Sequence, residues 1–556
     1  MGNVNLKKVL WPLAFLTVFA FIAGMFFMSA QPSQSPQAVQ EQLEFSDEDF
    51  IGCTSIMVGK LASTDGSVMT AHSCDGNYRT WLRIEPHAKH EPGTMTELRS
   101  GYLHTEFPQD RNRVSRKGEI PQVPETYAFM NVAYPCMNEK QLGIGETTIG
   151  GRRELRNNEG MFMIEELQRI VLERCTTARE AIRLIGELVK QYGYGDSGEC
   201  LTFVDPKEVW HFEIMGAGPI EIGAVWAAVR LPDDHVGVSA NIPRISTLDV
   251  NNPDYYMASD NVFSLAEEMG WWDPNSGVPF KFWEAYSGRR PYSTREFYVL
   301  STMAPSLDLN MDMEELPFSV KPDKKVSIRD MMRYYRETYE GTELDITKDI
   351  LIPQYTRPRR GEPQPAEQQP PQMVKSPLAG PWMSSDLRTL VNAFKPETVG
   401  SVRAIASSGC SYSQIIQCRD WLPDEIGGIA WFSFGNPGQS PRIPIFAGTT
   451  ELPGSFEMCG QKKYRTDAAL WTFRFTNRLA NVKWGVARID IEGAVQDFEE
   501  RALEELPGLE QKVRELYKED PEKCKKFVTR YTNDFALATM AKWRELGEKF
   551  ITTLLR

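Results

Sequence analysis

The sequence has no C-x-x-C pair, no G-x-x-x-x-G-K-[ST] phosphate loop and no G-x-S-x-G elbow. Its six histidines, His72, His87, His90, His104, His211 and His235, fall at no metal-ligand spacing. With these absences the motifs give no support to structural zinc, a nucleotide cofactor or a serine nucleophile on a strand-to-helix elbow; no cofactor and no metal are expected. Positive charge is also in short supply. The 62 Lys and Arg against 75 Asp and Glu leave a net charge of −13, which argues against nucleic acid and against an anionic membrane surface as partners.

Long apolar runs are nearly absent too. The exception, Val9 to Ala30, follows Lys7 and Lys8 and carries Trp11, Phe15, Phe19, Phe21, Phe26 and Phe27 with no charge. It is long enough to span a bilayer with its basic flank cytoplasmic, and it reads either as a signal peptide or as an uncleaved anchor. On both readings the rest of the chain is exported, whether periplasmic, extracellular or membrane-anchored, and touches the membrane only through this segment. Residues 31–52, rich in Gln, Ser, Pro and acids, read as a solvated tether and propeptide. The 556-residue length leaves ample chain for a large core beyond it.

The chemistry-bearing stretch runs from Asp49 to Asp75 around Gly52-Cys53. Thr54 to Val58 and Ser67 to His72 alternate as strands, and Thr64-Asp65-Gly66 supplies the turn. Folding this hairpin about Ser63-Thr64 brings Cys53 opposite the region of Ser73 to Asp75, so a thiol, an imidazole and a carboxylate gather at one open end of a sheet. Competing readings of Cys53 are a small core residue, half of a disulfide, or a lipidated cysteine after Phe50-Ile51-Gly52; the polar tract ahead of it speaks against the last. The nine cysteines are 53, 74, 136, 175, 200, 410, 418, 459 and 524. With Cys53 set aside, eight remain, open to disulfide pairing or to a role as buried thiols.

Further strands are expected at Leu142–Thr148, Cys200–Val204, Val209–Met215, Ala224–Val229, Val236–Ala240, Val402–Ala406 and Gly428–Phe434. Between the first two lie two helices. Met161, Ile164, Leu167, Val171 and Cys175 share a face of one; the other is capped by Thr177 with Glu180, striped by Ala181, Ile182, Ile185, Leu188 and Val189, and stopped by Gly193. Both stripes read as core. Residues 357–376, rich in Pro and Gln, read as a disordered insertion in a domain spanning 53–490, and 491–556 as a helical extension broken at Pro507 and Pro521. Strands, a helix pair and more strands make an α+β protein with helices layered on antiparallel sheets. Whether the helical extension packs on the domain or mediates a homo-oligomer is left open.

The block CTSIMVGKLASTDGSVMTAHSCD (53–75) resembles the start of the mature dipeptidase family of N-terminal-nucleophile cysteine hydrolases. That family includes the secernins, and its distant relatives include penicillin V acylase and bile salt hydrolase. The similarity continues in MNEKQLGIGETT (137–148), MIEELQRIVLERCTTAREAI (163–182), VSANIPRI (238–245) and IGGIAWFSFGNPGQSPRIPIFAG (426–448). The resemblance implies a four-layer αββα sandwich and a peptide substrate, with dipeptides hydrolysed through a thioester on Cys53. It implies further that Asp75 orients the nucleophile and its amine, that Asn241 and a backbone N–H near Thr147 serve the oxyanion, and that Arg244 supports them. Asn241 also reads as a turn residue before Ile242-Pro243, and Arg244 as a surface charge. His72 departs from the family, which usually has arginine there; a histidine is expected to titrate near neutral pH. Once Cys53 is the first residue, its own α-amine, with a pKa near 8, can take the thiol proton. Self-cleavage of the Gly52–Cys53 bond is therefore expected. The alternatives are an amidase acting on acylated amino acids and an inactive envelope-anchored binding protein on the same scaffold.

Overall fold

The computed structural model describes residues 52–219, 222–288, 292–355 and 370–555. The apolar run 9–30, the tether up to residue 51 and most of the 357–376 stretch lie outside them. Among the described residues no helix is long and apolar enough to cross a membrane.

In chain order the main elements begin with β1 (Ser55–Val58), β2 (Val68–Asp75), β3 (Gly143–Thr148), α1 (Ile164–Arg174) and α2 (Ala178–Tyr192). Next come β4 (Glu199–Val204), β5 (Val209–Gly216), β6 (Ala224–Arg230), β7 (Val236–Ser239), β8 (Tyr256–Ala258), α3 (Thr294–Met303), β9 (Ser319–Val320) and α4 (Ile328–Tyr335). The last are β10 (Cys410–Cys418), β11 (Ile429–Phe434), β12 (Ile443–Phe446), α5 (Ala469–Asn481), α6 (Trp484–Glu519) and α7 (Pro521–Leu554). A seven-stranded sheet runs β9-β7-β1-β2-β10-β11-β12 and a five-stranded sheet β8-β6-β5-β4-β3, with every pairing antiparallel. The protein is thus α+β, as expected.

The β1–β2 hairpin is registered about Ser63-Thr64: Met57 faces Thr70, Val58 faces Met69 and Thr54 bridges Ser73. The two sheets face each other. Thr70 and Thr202 share a hydrogen bond of 2.6 Å across the gap, and two glycines of β3 allow the approach. A Cβ on Gly143 would lie 2.6 Å from Ile416 Cγ2 and 2.8 Å from Val204 Cγ2, and one on Gly145 would meet Thr202 Oγ1 and the Ala71 carbonyl. Outside the five-stranded sheet, α2 presses Gly186 against the Trp226 ring. Its start is the expected capping box of Thr177 and Glu180, and its end is Gly193 at φ 78°.

Three expectations are corrected. Val402–Ala406 is a loop; the strand in this part of the chain is β10. β10 is buried on both faces, and Ser413, Gln414 and Gln417 are hydrogen-bonded inside it, so it shows no apolar–polar alternation. Pro507 does not break the helical tail but lies within α6, while Pro521 opens α7 at its first turn, where a missing N–H costs nothing. Of the stretch read as an insertion, Gln372–Lys375 forms a strand paired with Leu351–Gln354. The nine cysteines are all buried free thiols.

The tail packs into the body of the protein. Trp543 on α7 is buried, donates from Nε1 to Asn477 Oδ1 of α5 at 3.0 Å, and accepts Thr476 Oγ1 on its carbonyl at 2.7 Å. Thr532 of α7 bonds to the Pro444 carbonyl of β12 at 2.9 Å. Trp543→Ala is expected to cost about 3–5 kcal/mol, as large-to-small core substitutions do. Urea unfolding checks this; a loss under 1 kcal/mol would mean that the tail is an appendage.

Candidate active site

Cys53 precedes β1 and is closed off, with 1% of its surface exposed. The residues around it arrive from both faces of β2, because successive strand side chains point opposite ways. Thr70 and His72 face the five-stranded sheet. His72 lies opposite Gln414 of β10, whose Nε2 is 3.3 Å from its Nδ1, and His72 Nε2 lies 3.4 Å from Glu146 Oε2 of β3. Tyr134 and Tyr412 set their rings edge-on to the imidazole at 5.7 and 6.0 Å. Donor atoms of Cys53, His72 and Glu146 all lie within 4.8 Å of one another. Three such groups could hold a divalent cation, and the same set has the composition of a thiol, an imidazole and a carboxylate able to orient it.

Asp75 is on the opposite face. Its Oδ2 accepts from Arg403 Nη2 at 2.7 Å and from Ser73 Oγ at 3.3 Å, and its carbonyl receives the Gly52 N–H at 3.2 Å. The expected grouping of thiol, imidazole and Asp75 is therefore divided by the strand: His72 and Asp75 are three residues apart, and the carboxylate beside the imidazole is Glu146.

Two guanidinium groups hold the Gly52–Cys53 junction. Arg403 Nη2 donates to the Gly52 carbonyl as well as to Asp75. Arg295 donates from Nη1 to the Cys53 carbonyl at 2.6 Å and to Thr54 Oγ1 at 2.9 Å, and from Nη2 to Ala240 O at 2.9 Å and Asn241 Oδ1 at 3.0 Å. Arg295 is the second residue of α3, whose start is fixed by a Ser293–Glu296 capping box; Glu296 Oε1 in turn takes the Ala240 N–H at 2.8 Å. Tyr335 of α4 closes the far side, donating to the Thr54 carbonyl at 2.7 Å.

Asn241 follows β7 in the left-handed region, φ 67°, which asparagine tolerates. Its Nδ2 donates to the Thr148 carbonyl at 2.8 Å, and its Oδ1 lies where a Cβ on Gly52 would collide with it. Thr147 pairs with Cys200 in the ladder and shares a 2.7 Å hydrogen bond with Ser239 at the end of β7. Arg244 is buried elsewhere: its N–H goes to Glu213 and its Nη2 to the Leu316 and Pro317 carbonyls. The arginines that reach Cys53 and Asp75 are Arg295 and Arg403, and neither was singled out from the sequence. The S-x-x-E capping box at Ser293 was the available signal for Arg295, and the lone acid in the GIGETT strand was the signal for Glu146. Arg403 sits in a loop and offered none.

Charge is unevenly distributed here. Burial alone would lower the His72 pKa, but hydrogen bonds to Cys53 and Glu146 outweigh it and push the imidazole up to about 9. His72 is thus a cation at neutral pH and does not titrate there as expected. The Cys53 thiol is held well above its usual range by its contact with Cys74, by burial and by Glu146, against the opposing pull of His72. Burial lowers Arg295 to about 10, still charged at neutral pH.

The match to known proteins covers this same stretch. The model for peptidase family C69 fits residues 52–497, opening one residue ahead of Cys53. The chain belongs to peptidase family C69. Among its relatives, a "Probable dipeptidase" of Latilactobacillus sakei is 25% identical over 468 residues, 81% of this chain and 86% of that protein. Another "Probable dipeptidase", from Salmonella dublin, is 27% identical over 72% of this chain and 81% of its own length. A "Probable dipeptidase B" of Lactococcus lactis is 23% identical over 73% and 76%. The expected family is therefore the right one.

The raised imidazole fixes a pH dependence. A group whose pKa rises from 6.5 to about 9 on folding stabilises the fold fully below pH 6.5 and loses that contribution as pH climbs through 9. Urea unfolding from pH 6 to 9.5 should show this decline. Glu146→Gln should shrink it, because one of the two groups that raise the imidazole is then neutral; an unchanged decline would remove Glu146 as a cause.

Proposed function

We propose that this C69 peptidase is an exported cysteine dipeptidase, matured by self-cleavage before Cys53 and working through a thioester acyl-enzyme. The observation that carries the reading is the junction itself: the carbonyls of Gly52 and of the buried Cys53 are each held by an arginine. The names of the relatives support the dipeptide substrate, and the two facing sheets with helices outside support the four-layer αββα sandwich. Export rests on the Lys7-Lys8 flank and the apolar run behind it.

In the joined form the thiol is protonated, buried and without an amine base. Cutting the junction changes all three conditions. The new α-amine, with a pKa near 8, can accept the thiol proton, and departure of Gly52 opens the face that Asn241 and Arg403 line. The substrate carbonyl is then attacked by Cys53 Sγ, the amine proton passes to the leaving nitrogen, and water releases the acyl group. The Asn241 side-chain amide and the backbone near Thr147 serve the oxyanion, and Asp75 holds the amine. His72, charged throughout the neutral range, takes the place of the arginine usual in the family and favours the thiolate.

N-terminal sequencing of the active protein should begin at Cys53, and Cys53→Ala should keep residue 52 attached to its chain. An active enzyme that still carries Gly52 would overturn the reading. Iodoacetamide should abolish turnover of dipeptides and label Cys53 ahead of the eight other cysteines, because departure of Gly52 would uncover its thiol and its new amine would favour the thiolate, whereas the others stay buried. Chelators should leave activity unchanged. Activity lost to a chelator and restored by zinc would instead make Cys53, His72 and Glu146 a metal site. With Arg at position 72 the charge no longer titrates, so His72→Arg should hold kcat/KM above pH 9 where the parent declines; superimposable profiles would count against that role.

A further inference from the structure

A strained glycine and three contacts at the junction go beyond what holding a peptide in place requires. Gly52 has φ 142°, a conformation that side chains avoid, and a Cβ there would strike both Asn241 Oδ1 and Arg403 Nη1. Its N–H is tied to the Asp75 carbonyl at 3.2 Å. Its carbonyl oxygen accepts from Arg403 Nη2. That same nitrogen is anchored by Asp75 Oδ2 at 2.7 Å, and Asp75 is 1% exposed. The oxygen that must carry negative charge if Cys53 attacks its preceding peptide therefore already has a cationic donor on it. Asp75, bonded at one end to that donor and at the other to the Gly52 N–H, fixes both.

We propose that Arg403 is the electrophilic residue of the maturation reaction: it stabilises the oxyanion on the Gly52 carbonyl during cleavage of the Gly52–Cys53 bond. The inference rests on the self-cleavage reading given above. In the step, Cys53 Sγ bonds to the Gly52 carbonyl carbon, and the carbonyl electron pair moves onto the oxygen that Arg403 Nη2 touches. Collapse of this adduct breaks the bond from the Gly52 carbon to the Cys53 nitrogen. The thiol proton ends on that nitrogen, leaving a Gly52 thioester and a free α-amine. Water then hydrolyses the thioester, returning the thiol and releasing Gly52 as a carboxylate. No oxidant, metal or second protein takes part.

The division of labour between the two arginines follows from the same distances. Arg295 holds the Cys53 carbonyl and the Thr54 hydroxyl, on the side of the junction that stays with the enzyme. Arg403 holds the carbonyl that leaves. A guanidinium is suited to this position because the two hydrogens of its planar Nη2 have fixed directions, one for the carboxylate and one for the carbonyl, which a lysine ammonium on a flexible stem does not hold in place.

The test follows maturation of the full chain in membrane-free cell-free translation, with loss of the first 52 residues read on a gel against time. The parent should shed them in a first-order reaction. Arg403→Gln should slow that reaction about 100-fold, the usual effect of losing an oxyanion donor. Arg403→Lys, which keeps charge beside Asp75, should slow it at least tenfold. In a Cys53→Ala background, which cannot cut, both substitutions should leave the thermal midpoint within a few degrees of Cys53→Ala alone. A parent that matures while either variant matures at the same rate overturns the role of Arg403. Slowing accompanied by a large fall in thermal midpoint makes Arg403 a structural residue and overturns it as well. A parent that never sheds the segment defeats the self-cleavage reading itself, a result distinct from the other two.

Discussion

Two guanidinium groups, Arg295 buried and Arg403 partly exposed, on two consecutive carbonyls are the constraint around which this site is built. A buried cation survives only with partners that replace water, and the fold supplies them from widely separated segments. Arg295 depends on the start of α3, on the end of β7 and on the first residues of β1. Arg403 depends on Asp75 at the end of β2 and on a loop some 330 residues later in the chain. Each arginine therefore ties the hairpin that carries Cys53 to another part of the molecule, and the Gly52–Cys53 peptide is the point where the two ties meet.

The other face of β2 has a different function. His72, Glu146 and the two adjacent thiols of Cys53 and Cys74 form a dry cluster between the sheets, in which the imidazole is a cation and the thiol keeps its proton. A cation beside a thiol favours thiolate, whereas Glu146, Cys74 and burial oppose it; in the joined form the opposition prevails. The balance is poised, since a nearby base would shift it. A peptide nitrogen is no base, but the amine that the proposed cleavage would leave is one. The closed Cys53 thiol and the held junction are thus parts of one electrostatic arrangement, the one the proposed mechanism uses.

Much of this was legible in the residues. The β1–β2 register followed from alternation and turn chemistry, and the α2 boundaries from Thr177, Glu180 and Gly193, because these signals act within a few residues. The tight block from Cys53 to Asp75 identified the family. What escaped was non-local. Arg295 and Arg403 reach the junction only through tertiary packing, and β10 hides its strand character because both faces are buried and its polar side chains are satisfied internally. Pro507 was read by its local rule, while the packing of α6 against the neighbouring helices overrides the loss of one hydrogen bond. His72 was assigned an ordinary pKa because Glu146, 74 positions away in the chain, was not known to face it.

The central claim is that Cys53, as an N-terminal residue, carries the acyl group of the substrate. Its most direct test is mass spectrometry of enzyme mixed with a slow dipeptide and quenched in acid within the first turnover. The account expects the mass of the substrate's amino-terminal residue on the peptide that starts at Cys53, and on no other cysteine peptide. An adduct on a peptide that still contains Gly52, or full turnover with no adduct on Cys53, would contradict it.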